Sequence, residues 1–231
     1  MTIQIARHTI IPAGFMQIRA PKTAAAAAAG WWVVPGKTCV AAYQPKGAAS
    51  YAASLLDLSG SGNDAAEGVA PTWTAGTGWT FNGTTQYLTT GVIPVATYSM
   101  AIQFVNKTSP AGTYTAMGEA GANAQMMVMP YRSALGPRWY YGNSLKDLGL
   151  NVNVTDGNLA MAASAGYLDG APKVSAIGAW TGVALELCVA CENAAGGPWH
   201  YCALTVVAVA IYSDTLTDGE MATLCAAMAA L

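Results

Sequence analysis

Tyr98-Ser99-Met100-Ala101-Ile102-Gln103-Phe104 decides the fold. At a period of two it places Tyr98, Met100, Ile102 and Phe104 on one face, as a half-buried strand requires. Working outward, residues 87–91, 114–118, 125–131, 138–141, 159–163, 184–190 and 202–212 read as further strands between turn residues. Asp169-Gly170, after Gly166-Tyr167-Leu168, suits a two-residue hairpin, because a type I′ turn needs the positive φ that Asp and Gly tolerate. Gly196-Gly197-Pro198 marks another turn. Many short strands with almost no helix between them predict an antiparallel sandwich or barrel.

The C-terminus breaks the pattern. Thr217-Asp218-Gly219-Glu220 has the form of a capping box, in which the Thr217 hydroxyl and Glu220 carboxylate each satisfy an orphan backbone N–H. Met221, Leu224, Cys225, Met228 and Leu231 then recur at helical spacing, which predicts one closing helix packed on the sandwich.

The chain has 231 residues, of which 10% are charged, where roughly 25% is usual. Its 10 Lys and Arg stand singly among 12 Asp and Glu and give no basic stripe, so nucleic acid is not expected as a partner. The 53% hydrophobic content is rich in Ala, and no window of about 18 residues is free of Pro, charge or Gly-rich interruption. No membrane insertion is expected. So little charge predicts a surface completed by neighbours, as in a homo-oligomer. Arg7, His8 and Pro12 interrupt the first apolar stretch, so no secretion signal is read there. Five cysteines, Cys39, Cys188, Cys191, Cys202 and Cys225, are an odd number and are read as reduced thiols of a cytosol-made chain.

Residues 1–38 differ from the rest, with Pro12, Pro21, a six-alanine run and then Trp31-Trp32. They read as an arm or linker before a domain spanning 39–231. Two adjacent tryptophans are a heavy apolar burden if exposed, so Trp31 and Trp32 are expected to dock, on this domain or on another subunit, and are the candidate assembly residues.

Leu56-Asp57-Leu58-Ser59-Gly60-Ser61-Gly62-Asn63-Asp64, then Gly78-Trp79-Thr80-Phe81-Asn82-Gly83-Thr84-Thr85-Gln86-Tyr87-Leu88, then Tyr167-Leu168-Asp169-Gly170, then the stretch from Val207 to Glu220 stand in that order. Over residues 41–231 they resemble the turn, hairpin and closing-strand motifs of the laminin-G-like, concanavalin A-like lectin/glucanase superfamily. The resemblance implies an all-β, antiparallel jelly-roll sandwich with the N-terminal arm and one short C-terminal helix. The Ala/Gly/Thr-rich filler is similar to that of laminin-G-like proteins in bacteriophage structural modules. That implies a virion structural subunit, a capsid decoration or tail-associated protein made in the host cytoplasm and assembling with other virion proteins through its arm. The alternative is an extracellular lectin or adhesin module for host surface glycans.

Glycoside hydrolases on this fold carry two carboxylates spaced by two on one strand; no strand candidate has such a pair, and a non-enzyme is expected. His8 and His200 come with no nucleophile elbow. Cys188-Val189-Ala190-Cys191 with His200 and Cys202 offers zinc-type ligands, but a regular strand points Cys188 and Cys191 to opposite faces, so buried small hydrophobes are the default. Calcium is the cofactor that the resemblance implies, and Asp57, Asn63 and Asp64 are its candidate oxygen ligands, against the simpler reading that Asp57 and Asn63 cap their turn. For glycan, Trp139 and Tyr141 are the candidates, since alternation puts both on one face; Trp73, Trp79, Trp180 and Trp199 lie near turns.

Overall fold

The computed structural model describes residues 30–108, 113–132, 135–149, 152–195 and 197–231. In chain order its strands are β1 (Cys39–Tyr43), β2 (Ala66–Val69), β3 (Thr72–Thr74), β4 (Gly78–Thr80), β5 (Tyr87–Thr89) and β6 (Ser99–Val105). Then come β7 (Thr113–Tyr114), β8 (Met117–Ala120), β9 (Gln125–Met129), β10 (Tyr131–Arg132), β11 (Arg138–Gly142) and β12 (Ser144–Asp147). The remainder are β13 (Gly157–Ala162), β14 (Ala165–Leu168), β15 (Ala171–Val174), β16 (Cys188–Val189), β17 (Glu192–Ala194), β18 (Gly197–Trp199) and β19 (Thr205–Tyr212). A one-turn helix α1 (Tyr51–Ser54) precedes β2, and α2 (Asp218–Ala229) follows β19.

Two antiparallel sheets form a sandwich. The eight-stranded sheet runs β15-β14-β13-β6-β19-β4-β3, with β1 also on β19; the nine-stranded sheet runs β12-β11-β9-β8-β16-β5-β2 and carries the β17–β18 hairpin on β8. The β17–β8 pairing is parallel. Met100, Ile102 and Phe104 of β6 enter the core between the sheets, against Met126 and Val128 of β9 and Trp139 of β11.

The opposite face of β6 is buried as well. Ala101 joins Ala160, Ala162, Tyr167, Ala208, Ala210 and Tyr212 in a second apolar layer, and Met221, Leu224, Cys225 and Met228 of α2 close over it. Alanines on the outer face of three neighbouring strands make a floor low enough for a helix, so the strand read as half-buried is covered on both sides. The capping box starts the helix as predicted: the Thr217 hydroxyl accepts from the Glu220 N–H and the Glu220 carboxylate accepts from the Thr217 N–H. Asp169 and Gly170 both take positive φ, 51° and 76°, and join β14 to β15 across the Leu168–Ala171 pair.

Two predicted strands are shorter than their apolar runs. Residues 184–190 form strand only at Cys188 and Val189, and on the C-terminal side Ala190 turns left-handed at φ 64° and ends the ladder. The 114–118 run is broken at Thr115 and Ala116, between β7 and β8. Of the predicted arm, residues 1–29 lie outside the described residues. The structure seats Trp31 and Trp32 on the chain's own domain: the Trp31 indole N–H donates to the Gln44 side chain at 3.0 Å, and the Tyr212 hydroxyl donates to the Trp32 carbonyl at 2.7 Å.

Candidate ligand-binding face

The face of the nine-stranded sheet that points away from the core is built by register. Trp139, Val128 and Met117 lie directly opposite one another across β11, β9 and β8 and all enter the core. Their neighbours Tyr140, Met127 and Gly118 are likewise in register and so face outward. Gly118 is also opposite Glu192, and Glu192 opposite Trp199. The row from Tyr140 to Trp199 thus crosses five strands, about 19 Å at the usual strand spacing. Gly118 is needed in it: a Cβ there would lie 2.1 Å from that of Met127.

At one end of the row, Tyr140 stands between two guanidinium groups. Arg132 and Arg138 both donate to its hydroxyl, at 2.6 and 3.0 Å, and Arg138 is itself held by a two-pronged ion pair with Asp147. Burial pushes the Tyr140 phenol above its ordinary value, while the Arg138 charge pulls it down. At the other end, Glu192 bonds His200 at 2.6 Å, and Trp199 is 61% exposed. Beyond it, Tyr87 and Tyr201 meet with ring centroids 6.2 Å apart, and the Tyr87 ring covers Gly68, where a Cβ would be 2.0 Å from it. The β17–β18 end offers an exposed indole beside a carboxylate and an imidazole, the chemistry that stacks on an apolar sugar face while bonding its hydroxyls, whereas the middle of the row is covered, with Gly118 buried and Met127 2% exposed.

Trp139 and Tyr141 are not part of it. They share one face, as alternation requires, but that face is the core. Trp139 is fully buried and its indole N–H donates to the Ala160 carbonyl at 2.9 Å; Tyr141 is 5% exposed and donates to the Ala96 carbonyl at 2.6 Å. The strand is where the alternation predicts it, but the face that Trp139 and Tyr141 share is the one that meets the core. Of the turn tryptophans, Trp79 is also buried, bonded to the Ser54 hydroxyl at 2.7 Å, and Trp199 is the one presented to solvent.

The calcium candidates are engaged otherwise. The Asp57 carboxylate accepts from the Ala42, Ser59, Ser61 and Asn63 N–H groups and from the Ser59 hydroxyl, at 2.8 to 3.2 Å. Five donors fill what a carboxylate can accept. Burial alone would raise its pKa, yet these donors together hold it below the ordinary aspartate range. Asp64 accepts from the Asp57 N–H at 2.7 Å, and the Asn63 amide donates to the Val40 carbonyl at 2.7 Å. Asp57, Asn63 and Asp64 thus close a turn with protein donors, and the set does not fit a hard cation.

The cysteines are all free thiols. The left-handed Ala190 turns Cys191 back toward Cys188, and a hydrogen bond with Cys188 followed by burial pushes the Cys191 thiol up. His200 is turned to Glu192, and among the described residues no three His, Cys, Asp or Glu side chains cluster as metal ligands.

Sequence reading missed Glu119, which is buried on the core side of β8. Its Oε2 accepts from the Gly121 and Leu185 N–H groups at 2.7 and 3.0 Å, while Oε1 has no hydrogen-bond partner among the described residues. Burial raises its pKa to about 7. It ties the loop after β8 to the segment leading into β16, and its only mark in the sequence is an acidic residue inside the apolar run Met117-Gly118-Glu119-Ala120.

No protein-family model matches the chain, and no curated protein matches it in sequence. Solved structures do match in shape. Domain 4 of AbnA, an extracellular GH43 arabinanase of Geobacillus stearothermophilus determined in complex with arabinotriose, superposes with a TM-score of 0.60 at 15% identity, over 82% of this chain and 98% of that domain. The binding domain of botulinum neurotoxin serotype D gives 0.59 at 11% identity, over 82% of this chain and 51% of that one. Trypanosoma rangeli sialidase, with its covalent intermediate, gives 0.56 at 18% over 83% of this chain but 35% of the enzyme. The likeness is one of fold. It agrees with the sandwich derived from the strands.

Proposed function

We propose that this chain is a non-catalytic carbohydrate-binding module whose ligand stacks on Trp199 beside Glu192 and His200, at the β17–β18 end of the outer row. The single observation that carries the reading is the exposed Trp199 indole beside the Glu192–His200 pair. An exposed indole flanked by side chains that can bond hydroxyls is the platform on which a sugar ring stacks. The likeness to an arabinanase domain that holds arabinotriose supports the same reading by analogy of fold. The carboxylates of this face are engaged, Glu192 with His200 and Asp147 with Arg138, which suits binding better than acid–base chemistry.

The test is a glycan array followed by titration calorimetry on the best oligosaccharide. Saturable binding is expected, weakened about tenfold or more by Trp199→Ala, the loss of roughly 1.4 kcal/mol or more of stacking. An array with no saturable signal, or undiminished binding by Trp199→Ala, sinks the proposal. A second reading, a structural subunit of a virion that uses such a face on its host, has the 10% charged content on its side. Light scattering tests it, since a subunit of that kind is oligomeric.

A further inference from the structure

Three aromatic side chains gather at the β17–β18 end of the outer face, and the sugar site as described uses only one of them. Tyr87 leaves β5 on the outer side, because its neighbour Leu88 enters the core. Tyr201 lies over the same side: its neighbour Cys202 is in the core, and its ring meets that of Tyr87 with centroids 6.2 Å apart and planes tilted by 60°. Both tyrosines are half-buried, and the exposed Trp199 stands two residues before Tyr201. Burial first, with the Cys188 and Cys191 thiols adding to it, pushes both phenols above their ordinary values, so the pair backs onto the turn from β16 to β17. Neither hydroxyl is tied to a protein group among the described residues.

The backbone holds the indole and the tyrosine pair at a fixed step. His200, between them, takes the left-handed region at φ 49°, which a non-glycine residue adopts only where its surroundings impose it. Here they do. The Thr115 N–H donates to the His200 carbonyl at 2.8 Å, the imidazole bonds Glu192 at 2.6 Å, and the Cys202 N–H donates to the Ala190 carbonyl at 2.9 Å. Tyr201 is thus pinned on both sides, with its Cα at most about 7 Å from that of Trp199. That is comparable to the step from one sugar ring to the next along a glycan chain. Aromatic rings fixed in place before a ligand arrives have little freedom left to lose on binding it.

We infer, on the carbohydrate-binding reading of Trp199, that Tyr201 and Tyr87 form a second sugar subsite beside it, so that the module takes an oligosaccharide of two or more linked rings and not a single terminal sugar. One ring stacks on the indole with its hydroxyls toward Glu192 and His200. The next lies against the tyrosine pair, whose phenols can both donate to and accept from ring hydroxyls. Once the first ring is seated, the second binds within the same complex, and the two contacts reinforce each other with no further loss of overall freedom.

The experiment titrates the full chain with gluco-, xylo-, manno-, arabino- and galacto-oligosaccharides of increasing length, from the monosaccharide to the tetrasaccharide, and reads NMR chemical shifts so that millimolar binding is measured. In a series that binds, the trisaccharide should bind about tenfold or more tightly than the monosaccharide. Tyr201→Leu and, independently, Tyr87→Leu keep an apolar cover over the thiols but remove the ring. Each should weaken the trisaccharide about tenfold, to near the monosaccharide value, and leave the monosaccharide within about twofold. Trp199→Ala should weaken both. Thermal melts check that each variant is folded, and the use of two keeps the test sound if one is not. A monosaccharide bound as tightly as its trisaccharide, or a trisaccharide affinity untouched by both Leu variants while Trp199→Ala still lowers it, overturns the second subsite and leaves the Trp199 site standing. Failure of every series to bind overturns the carbohydrate reading itself, and the subsite with it.

Discussion

At pH 8 the folded protein carries a buried carboxylate at Glu119 that accepts from the Gly121 and Leu185 N–H groups and has one oxygen without a partner among the described residues. Burial raises its pKa to about 7 from the ordinary 4.5. The sign follows from which state holds the proton more tightly. Below pH 4.5 the group is protonated whether the chain is folded or not, and the site costs nothing. Between 4.5 and 7 the unfolded chain ionises first, so stability falls as pH rises; above 7 both states are charged and the loss is complete. At roughly 1.36 kcal/mol per pH unit, that loss is about 3 kcal/mol. For a domain of this size it corresponds to a fall in Tm of about 10 °C between pH 4.5 and 7.5. Glu119→Gln keeps an amide oxygen for the two N–H groups and cannot ionise. Its NH2 group meets the same lack of a partner, which costs about 1–3 kcal/mol at every pH, so the signature is the slope and not the absolute stability. Calorimetric melts of both proteins from pH 4.5 to 8.5 should show the variant gaining on the parent as pH rises, with the gain centred below pH 7. Parallel curves for the two proteins would refute the argument, because a carboxylate buried as described cannot be indifferent to its own charge.

Three further outcomes follow from the same packing. Trp139→Ala should cost about 3–5 kcal/mol in denaturant melts through its core cavity, while Trp199→Ala should leave stability within about 0.5 kcal/mol and act on glycan binding alone; the reverse pattern would mean that the faces have been misassigned. Asp57→Ala strands the donors of its turn and should cost about 3 kcal/mol, and chelation of divalent cations should leave the melting curve of the parent unchanged; a large chelator effect would restore calcium to this turn. Ala160→Leu raises the floor beneath α2 and should cost about 1–3 kcal/mol by overpacking, read as a lower urea midpoint with earlier loss of helical signal.

The strands were legible because alternation is local. Met100, Ile102 and Phe104 announce a buried face wherever they fold, and Thr217 with Glu220 announces a helix start from four residues. Which side of a given strand meets the core is not local. Trp139 and Tyr141 outweigh Tyr140 in apolar content and turn inward, which removes them as glycan candidates. Glu119 was silent for a related reason: its partners, Gly121 and Leu185, are backbone N–H groups 2 and 66 residues away, and backbone donors leave no trace in side-chain patterns. Trp199 was visible as a turn tryptophan, but its neighbour across the ladder, Glu192, is set by the β17–β18 register, and the parallel seat of that hairpin on β8 has no sequence signal at all.

The low charge of the chain takes a different meaning once the sheets are in place. Every residue of β19 is buried: Val206, Val209 and Ile211 enter the central core, while Ala208, Ala210 and Tyr212 lie under α2. A strand covered on both faces has no position for a charge, and β13 repeats the arrangement with Leu159 and Met161 inward and Ala160 and Ala162 outward. Large residues on one face and alanines on the other let three layers stack where two would be usual, and each added layer removes charged positions from the sequence without requiring a second subunit. Part of the apolar excess is therefore internal to one chain. Among the large apolar side chains of the described residues that stay in solvent, Trp199 is the one aromatic, and it stands beside the Glu192–His200 pair.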